Sequence, residues 1–367
     1  MNPEYIIIGS GLTGAVIARL LSDAGKAVRI IERRAHVGGN VHDHVHSSGI
    51  RIHTYGPHYF RTNDEEIWKF ANRFATFYPY EACLLSLVEG ALERWPISAD
   101  YIRRTVGEDW KPAFVGTPSN FEEASLAMMP EAIYTKFVKG YSEKQWGVPA
   151  SELSATLARR FDVREGDDAR LMRHEHQGIP EKGYAFLMTE MLRGIEVETG
   201  CDFLENRARF ENARNLVFTG PIDAFFGFDL GKLKYRGQVR HHEYLENVPS
   251  FQPCGQVNNP DPRNGPHIRT LEWKHMMPPD EARRLRGTVI TRETTVTPEH
   301  ESDYEYPFPD ARNAELYKTY RERADKLTNV LICGRLGEYR YYDMDQAIGR
   351  AMLLARRLLE KKPATNQ

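Results

Sequence analysis

Six residues near the start, Gly9-Ser10-Gly11-Leu12-Thr13-Gly14, put glycines where a chain must turn sharply, approach a pyrophosphate and seat a helix on a strand. A diphosphate held there would meet the open N–H groups of a helix N-terminus. Glu32, at the tip of the next apolar run, is suited to a ribose hydroxyl. Together they point to dinucleotide binding. A second cluster, His42-Asp43-His44-Val45-His46, would put three imidazoles on one face of a strand. No carboxylate or cysteine spacing completes a metal site around it, so no metal is expected. Cys83, Cys201, Cys254 and Cys333 are widely spaced and form no CxxC pair, which argues against a zinc site or a disulfide framework.

The elements that would position these residues follow from the hydrophobic pattern. Tyr5 to Ile8 is a short apolar run ending at Gly9, and Ala15 to Ala24 carries apolar residues at helical spacing. Val28 to Ile31 reads as the next strand, so the chain opens as a βαβ unit of a doubly wound α/β domain. Residues 63–160 read as mostly helical, broken by a Pro- and Gly-containing stretch around Trp110 to Pro118. Gln238 to Val296 has short β-branched and aromatic segments, which predicts an antiparallel sheet. Val330 to Gly334 repeats the strand-to-Gly pattern, Ala347 to Lys361 reads as a closing helix, and Lys361 to Gln367 as a frayed tail.

The 367 residues are enough for two or three domains. With 49 basic and 51 acidic residues there is no overall electrostatic footprint for nucleic acid or anionic lipid. No basic leader or long apolar run precedes Tyr5, so the expected location is cytoplasmic, without membrane spans.

After Glu32-Arg33 the chain runs into Gly38-Gly39-Asn40, a continuation that resembles FAD-binding proteins. The resemblance implies FAD held by Gly9, Gly11, Leu12, Thr13, Gly14, Glu32, Arg33, Gly38, Gly39 and Asn40, with Arg33 also readable as a solvated strand-end charge. Further strings resemble the UDP-galactopyranose mutase family. They are Tyr55-Gly56-Pro57-His58, the 139–147 string from Lys139 to Gly147, Thr219 to Asp223, and the Tyr-rich Tyr339 to Gln346 after Gly334-Arg335-Leu336.

This resemblance implies a Rossmann-like FAD-binding domain over 1–75, 183–235 and 325–367. It also implies a helical domain over 76–160 and an antiparallel-sheet substrate domain over 161–182 and 236–324. It implies an isomerase in which N5 of the reduced flavin attacks the anomeric carbon of a nucleotide sugar, converting pyranose to furanose without net oxidation. A flavin reductant such as NAD(P)H and a homodimer are implied as well.

By the same resemblance Arg160 and Arg269 would hold the diphosphate, since a guanidinium can grip two phosphate oxygens at once. Arg159 and Arg164 compete with Arg160 for that place. Tyr306 and Tyr341 would add phenolic donors, while Phe137 and Tyr141, four apart, would sandwich the uracil and Trp146 would wall the sugar. His58, Thr219, Arg335, Asp343 and Met344 would lie by the flavin, with His58, Arg160 and Arg269 serving catalysis.

Three positions depart from the family pattern. Arg61 stands where galactose-specific relatives carry a second histidine, Leu171 replaces a phenol, and His176 stands where a tyrosine precedes Gln177-Gly178. Arg61 is therefore counted among the substrate-binding residues, and UDP-N-acetylgalactosamine or a dTDP-6-deoxyhexose stand as alternatives to UDP-galactopyranose. An FAD amine oxidase-like oxidoreductase, and a degenerate mutase that only binds, are the competing classes.

Overall fold

A computed structural model describes residues 3–160, 162–166 and 168–360, with the side chain of Arg160 excluded. The tail 361–367 lies outside the described residues. Strand β1 (Tyr5–Ile8) leads through the glycine turn into helix α1 (Leu12–Asp23) and strand β2 (Val28–Glu32). The helix begins inside the motif, three residues before its apolar periodicity becomes visible at Ala15. Five parallel strands form one sheet in the order Glu196–Thr199, β2, β1, Leu216–Phe218, Val330–Ile332. The order reverses beside β1, the switch point where open α/β sheets bind ligands at the carboxyl ends of their strands.

Helix α1 has 12 residues, too short to persist alone in water, so packing must hold it. Ala15, Val16, Ile17, Ala18 and Leu21 are fully buried between the sheet and the helix Met344–Glu360. Full burial of each larger aliphatic side chain contributes roughly 1.5–3 kcal/mol. The glycine cradle is therefore fixed to a rigid core.

A seven-stranded sheet covers the cavity from above, in the order Tyr306–Pro307, Tyr235–Leu245, Thr288–Val296, Arg269–Glu272, Gln256–Asn258, Leu84–Val88, Ala91–Trp95. Its pairs are antiparallel except Gln256–Asn258 with Leu84–Val88. A helical layer, from Ala99–Val106 to the short helix Ala155–Arg160, packs around Ile102, Met129, Ile133, Phe137 and Trp146.

The helical reading of the segment beginning near 76 is corrected by the fold. Phe77–Pro79 joins a three-stranded sheet with His176–Pro180 and Phe60–Thr62, and Leu84–Val88 pairs with Ala91–Trp95 as a hairpin. Leu84 to Val88 alternates buried and half-buried positions, a period of two. Glu89 and Gly90 both take positive φ, 52° and 85°, the two-residue turn whose twist suits a hairpin. Helix begins only at Ala99, where the Ser98 hydroxyl accepts from the Tyr101 N–H.

Candidate functional site

The glycine cradle forms one end of a cavity of about 410 Å³ that runs beneath the seven-stranded sheet to Tyr306 and Tyr341. Gly11, the residue before α1, offers no side-chain cap, and no acidic residue occupies the first turn. The helix therefore presents unsatisfied N–H groups and a positive dipole end to the cavity. A Cβ on Gly14 would sit 2.0 Å from the Gly9 carbonyl oxygen, and one on Gly39 2.8 Å from the Gly11 Cα. Only bare backbone closes this cradle, and it fits the diphosphate of a dinucleotide.

Glu32 is buried beside it, where one carboxylate oxygen accepts from the Ser10 N–H at 2.8 Å and the Ser10 hydroxyl at 2.6 Å. Gly9, Gly11, Leu12, Thr13, Gly14, Glu32, Arg33, Gly38, Gly39, Asn40 and Thr219 all line this end. The Arg33 guanidinium donates to the Glu301 carbonyl at 2.7 Å, so it is pinned and not freely solvated.

His58, Arg335, Asp343 and Met344 line the middle and far wall together with Arg61, Leu171 and Arg269. The His58 Nδ1 lies 2.7 Å from the Gly56 carbonyl, which fixes the proton there and leaves Nε2 as an acceptor. Burial pushes this imidazole down to about 4, the Gly56 bond opposing and the Arg335 and Arg240 charges adding, so His58 is neutral at physiological pH. Arg61 makes a 3.0 Å ion pair with Asp343, joining the strand Phe60–Thr62 to the start of the helix Met344–Glu360.

Arg269 sits opposite Glu293 in the strand register, and its Nε donates to that buried carboxylate. The other Glu293 oxygen accepts from Arg240 at 2.8 Å, and Arg240 also grips Glu305 with two bonds of 2.8 Å. Burial, the largest single influence, would lower the Arg269 pKa, but the Glu293 charge and hydrogen bond together with Tyr141 and Tyr306 more than offset it and hold the guanidinium protonated. Burial would likewise raise Glu293, yet Arg269 and Arg240 hold it below the usual carboxylate range. Gly56, at φ 92°, passes close over this network: a Cβ there would meet Glu293 Oε1 at 2.9 Å and an Arg240 Nη at 3.1 Å.

Arg240, Glu293 and Glu305 were not singled out from sequence. The available signal was a charged residue at an inward position of a strand: Glu293 is fully buried within Thr288–Val296, among apolar residues and threonines.

The Tyr306 and Tyr341 rings stack at 6.0 Å, 13° from parallel, at the far end of the cavity. Phe137 is buried in the helical layer, edge-on to Tyr101 at 5.1 Å, and Trp146 is buried edge-on to Phe308 at 5.9 Å. Neither they nor Tyr141 line the cavity. Phe137 lies in a π-helical turn, Thr135–Lys139, that runs directly into the α-helix carrying Tyr141. The Arg160 side chain lies outside the described residues. His176 turns away from the cavity, stacking on Trp68 at 4.9 Å and pairing with Glu65.

The three imidazoles of 42–46 do not converge. His42 and His44 each bond the Thr54 hydroxyl, whereas His46 bonds Ser48. Among the described residues, no group of three or more His, Cys, Asp or Glu is arranged to hold a metal ion. The four cysteines are free thiols, and no described helix is long and apolar enough to cross a membrane.

A family model described as UDP-galactopyranose mutase matches residues 136–341, and one described as an NAD(P)-binding Rossmann-like domain matches residues 7–74. A dTDP-fucopyranose mutase of Escherichia coli is 32% identical, the alignment covering 95% of this chain and 96% of that protein. A probable UDP-galactopyranose mutase of Klebsiella pneumoniae is also 32% identical, covering 96% and 94%. Among solved structures, a reduced UDP-galactopyranose mutase superposes with a TM-score of 0.74 at 16% identity, covering 98% of this chain and 96% of that one. A putrescine oxidase superposes at 0.60 with 12% identity over 98% and 99%, a likeness of fold alone. The matched span exceeds half the chain and includes Arg269, Tyr306 and Tyr341 at the far end of the cavity: the chain belongs to the UDP-galactopyranose mutase family.

Proposed function

We propose that this chain is a mutase that uses reduced FAD to interconvert the pyranose and furanose forms of a nucleotide sugar, with UDP-galactopyranose and UDP-galactofuranose the first pair to test. The observation that carries the reading is the continuity of one cavity from the dinucleotide cradle to Arg269, Tyr306 and Tyr341. When bound, the reduced flavin supplies a nucleophilic nitrogen for the anomeric carbon. Arg269 offers its guanidinium to the leaving diphosphate, and Tyr306 and Tyr341 offer neutral donors beside it. Neutral His58, on the cavity wall, keeps Nε2 as an acceptor that could orient a group bound against it.

A second sugar has a specific observation in its favour. The dTDP-fucopyranose mutase is as similar in sequence as the Klebsiella relative, and Arg61 brings a permanent cation to the cavity wall. Arg61→His is expected to shift the ratio of kcat/KM between UDP-galactose and its competitors, dTDP-fucose and UDP-N-acetylgalactosamine, about tenfold toward UDP-galactose. That is the scale of one hydrogen bond to a charged group. An unchanged ratio would sink the role given to Arg61.

The function itself is tested by anaerobic incubation of dithionite-reduced protein with UDP-galactofuranose, UDP-galactopyranose, UDP-N-acetylgalactosamine and dTDP-fucose, beside an oxidised control. Reduction-dependent ring exchange, separated by chromatography, is expected, and the fastest donor names the sugar. Absence of exchange with every donor while FAD is bound would overturn the reading. Oxygen consumption with an amine would replace it by oxidase chemistry.

A further inference from the structure

Lys144 belongs to the 139–147 string, yet nothing above gives it a task. Its side chain is half-buried, and its Nζ donates to three backbone carbonyls: Asn259 at 2.9 Å, Asp261 at 2.8 Å and His267 at 3.2 Å. An ammonium has three N–H donors and no acceptor, so all three are used. The carbonyls belong to the two ends of the turn between the strands Gln256–Asn258 and Arg269–Glu272. The same helix, Gly140–Trp146, meets that turn at Gly140, where a Cβ would sit 2.2 Å from the Pro260 carbonyl oxygen.

The turn leads straight to Arg269. The Asn259 N–H donates to the Ile268 carbonyl at 2.7 Å, and the Ile268 N–H donates to the Glu293 carbonyl at 2.8 Å. Tyr141, one helical turn before Lys144, lies within electrostatic reach of the Arg269 guanidinium. One side chain thus ties the helix carrying Tyr141 to the turn that aims Arg269.

We propose that Lys144 is a positioning residue for the diphosphate end of the site: its ammonium clasps the turn 259–267 and so sets where Arg269 stands relative to Tyr141. The proposal rests on the mutase reading for its effect on turnover. An ordinary surface lysine would seek water or a carboxylate. Here the Asp261 carboxylate is occupied by Arg263 at 2.7 Å, and Lys144 takes the backbone instead.

The clasp carries a pH signature. Burial lowers the Lys144 pKa to about 8, with Asp261 opposing. The charged and titratable groups facing it are Asp261, Arg263 and His267. Arg263 holds Asp261 down to about 2, while burial, with the Lys144 and Arg292 charges adding, lowers His267. Around pH 8 only Lys144 among them changes charge. A neutral amine has two N–H groups for three carbonyls, so the clasp is complete below that pH and incomplete above it.

The test compares wild type, Lys144→Met and Lys144→Arg as reduced holoenzymes, measuring kcat and KM for UDP-galactofuranose from about pH 6.5 to about pH 9.5, between the ordinary histidine and lysine values. Wild-type kcat/KM is expected to fall above about pH 8. Lys144→Met is expected to lose roughly tenfold to hundredfold at every pH, the cost of a small misplacement of a binding group. Lys144→Arg should recover part of the loss and lack the alkaline fall. Wild-type turnover in Lys144→Met, or the same alkaline fall in Lys144→Arg, would overturn the proposal.

Amide hydrogen exchange at one fixed pH reads the clasp without turnover. Faster exchange over 259–268 in Lys144→Met, with β1 and α1 unchanged, supports it, and equal exchange overturns it. If reduced wild type exchanges no ring at all, the mutase reading fails and the exchange data still decide the clasp.

Discussion

Arg269→Ala is expected to lower kcat/KM for ring exchange by about three orders of magnitude, the upper range for removing one preorganised donor from a developing anion. The guanidinium stands on the strand Arg269–Glu272, and its side chain is only 14% exposed on the cavity wall. Charge grows on the diphosphate as the sugar leaves, and a cation already fixed by Glu293 needs no reorganisation to meet it. The loss should appear mainly in kcat, with a smaller rise in KM, because the interaction strengthens in the transition state. Arg269→Lys keeps one charge but loses the planar fork, so it should recover only part of the rate. The assay is initial-rate ring exchange by the reduced enzyme, with flavin absorbance confirming equal cofactor loading. An alanine variant within tenfold of wild type would remove Arg269 from the chemistry.

What could be read from sequence divides along a physical line. The cradle was legible because Gly9, Gly14 and Gly39 answer to local backbone demands, and local demands leave local signatures. The strand Leu84–Val88 was misread because a five-residue apolar run carries almost no periodicity of its own. The Glu89-Gly90 turn was the better guide, and it lies where the helical reading was already in place.

Arg269 was found through a family string, but the network that holds it was not. Arg240, Glu293 and Glu305 come from three separate strands or their ends and meet only when the sheet closes. The aromatic pair was legible only as a spacing within its string. Phe137 and Tyr141 have the spacing of one helical face, and the chain places a π-turn, Thr135–Lys139, at Phe137 and packs that ring in the helical core. Spacing arguments assume a regular helix, and irregularity of this kind is set by packing that no local window contains.

Glu293→Gln is expected to be the most destabilising single substitution in the site, costing about 3–5 kcal/mol, the range for removing one partner from a buried ion pair. Its carboxylate is fully buried and serves two guanidiniums, Arg240 at 2.8 Å and Arg269. Glutamine keeps the shape but removes the charge, leaving two cations facing each other under Gly56 with only Glu305 to offset them. The same change should let Arg269 swing, so activity falls along with the melting temperature.

The pH dependence separates charge from packing. Glu293 has a depressed pKa in the folded chain, so its contribution is fully present above the ordinary glutamate value of about 4.3 and is lost as pH falls through the folded value. Wild type should therefore lose stability below about pH 4 more steeply than Glu293→Gln, whose side chain cannot take up that proton. Denaturant melts at neutral and acid pH compare the two. Parallel pH profiles would mean that Glu293 holds the sheet by shape alone, and a wild-type melting temperature at neutral pH would mean that Arg240 and Arg269 find another counter-charge.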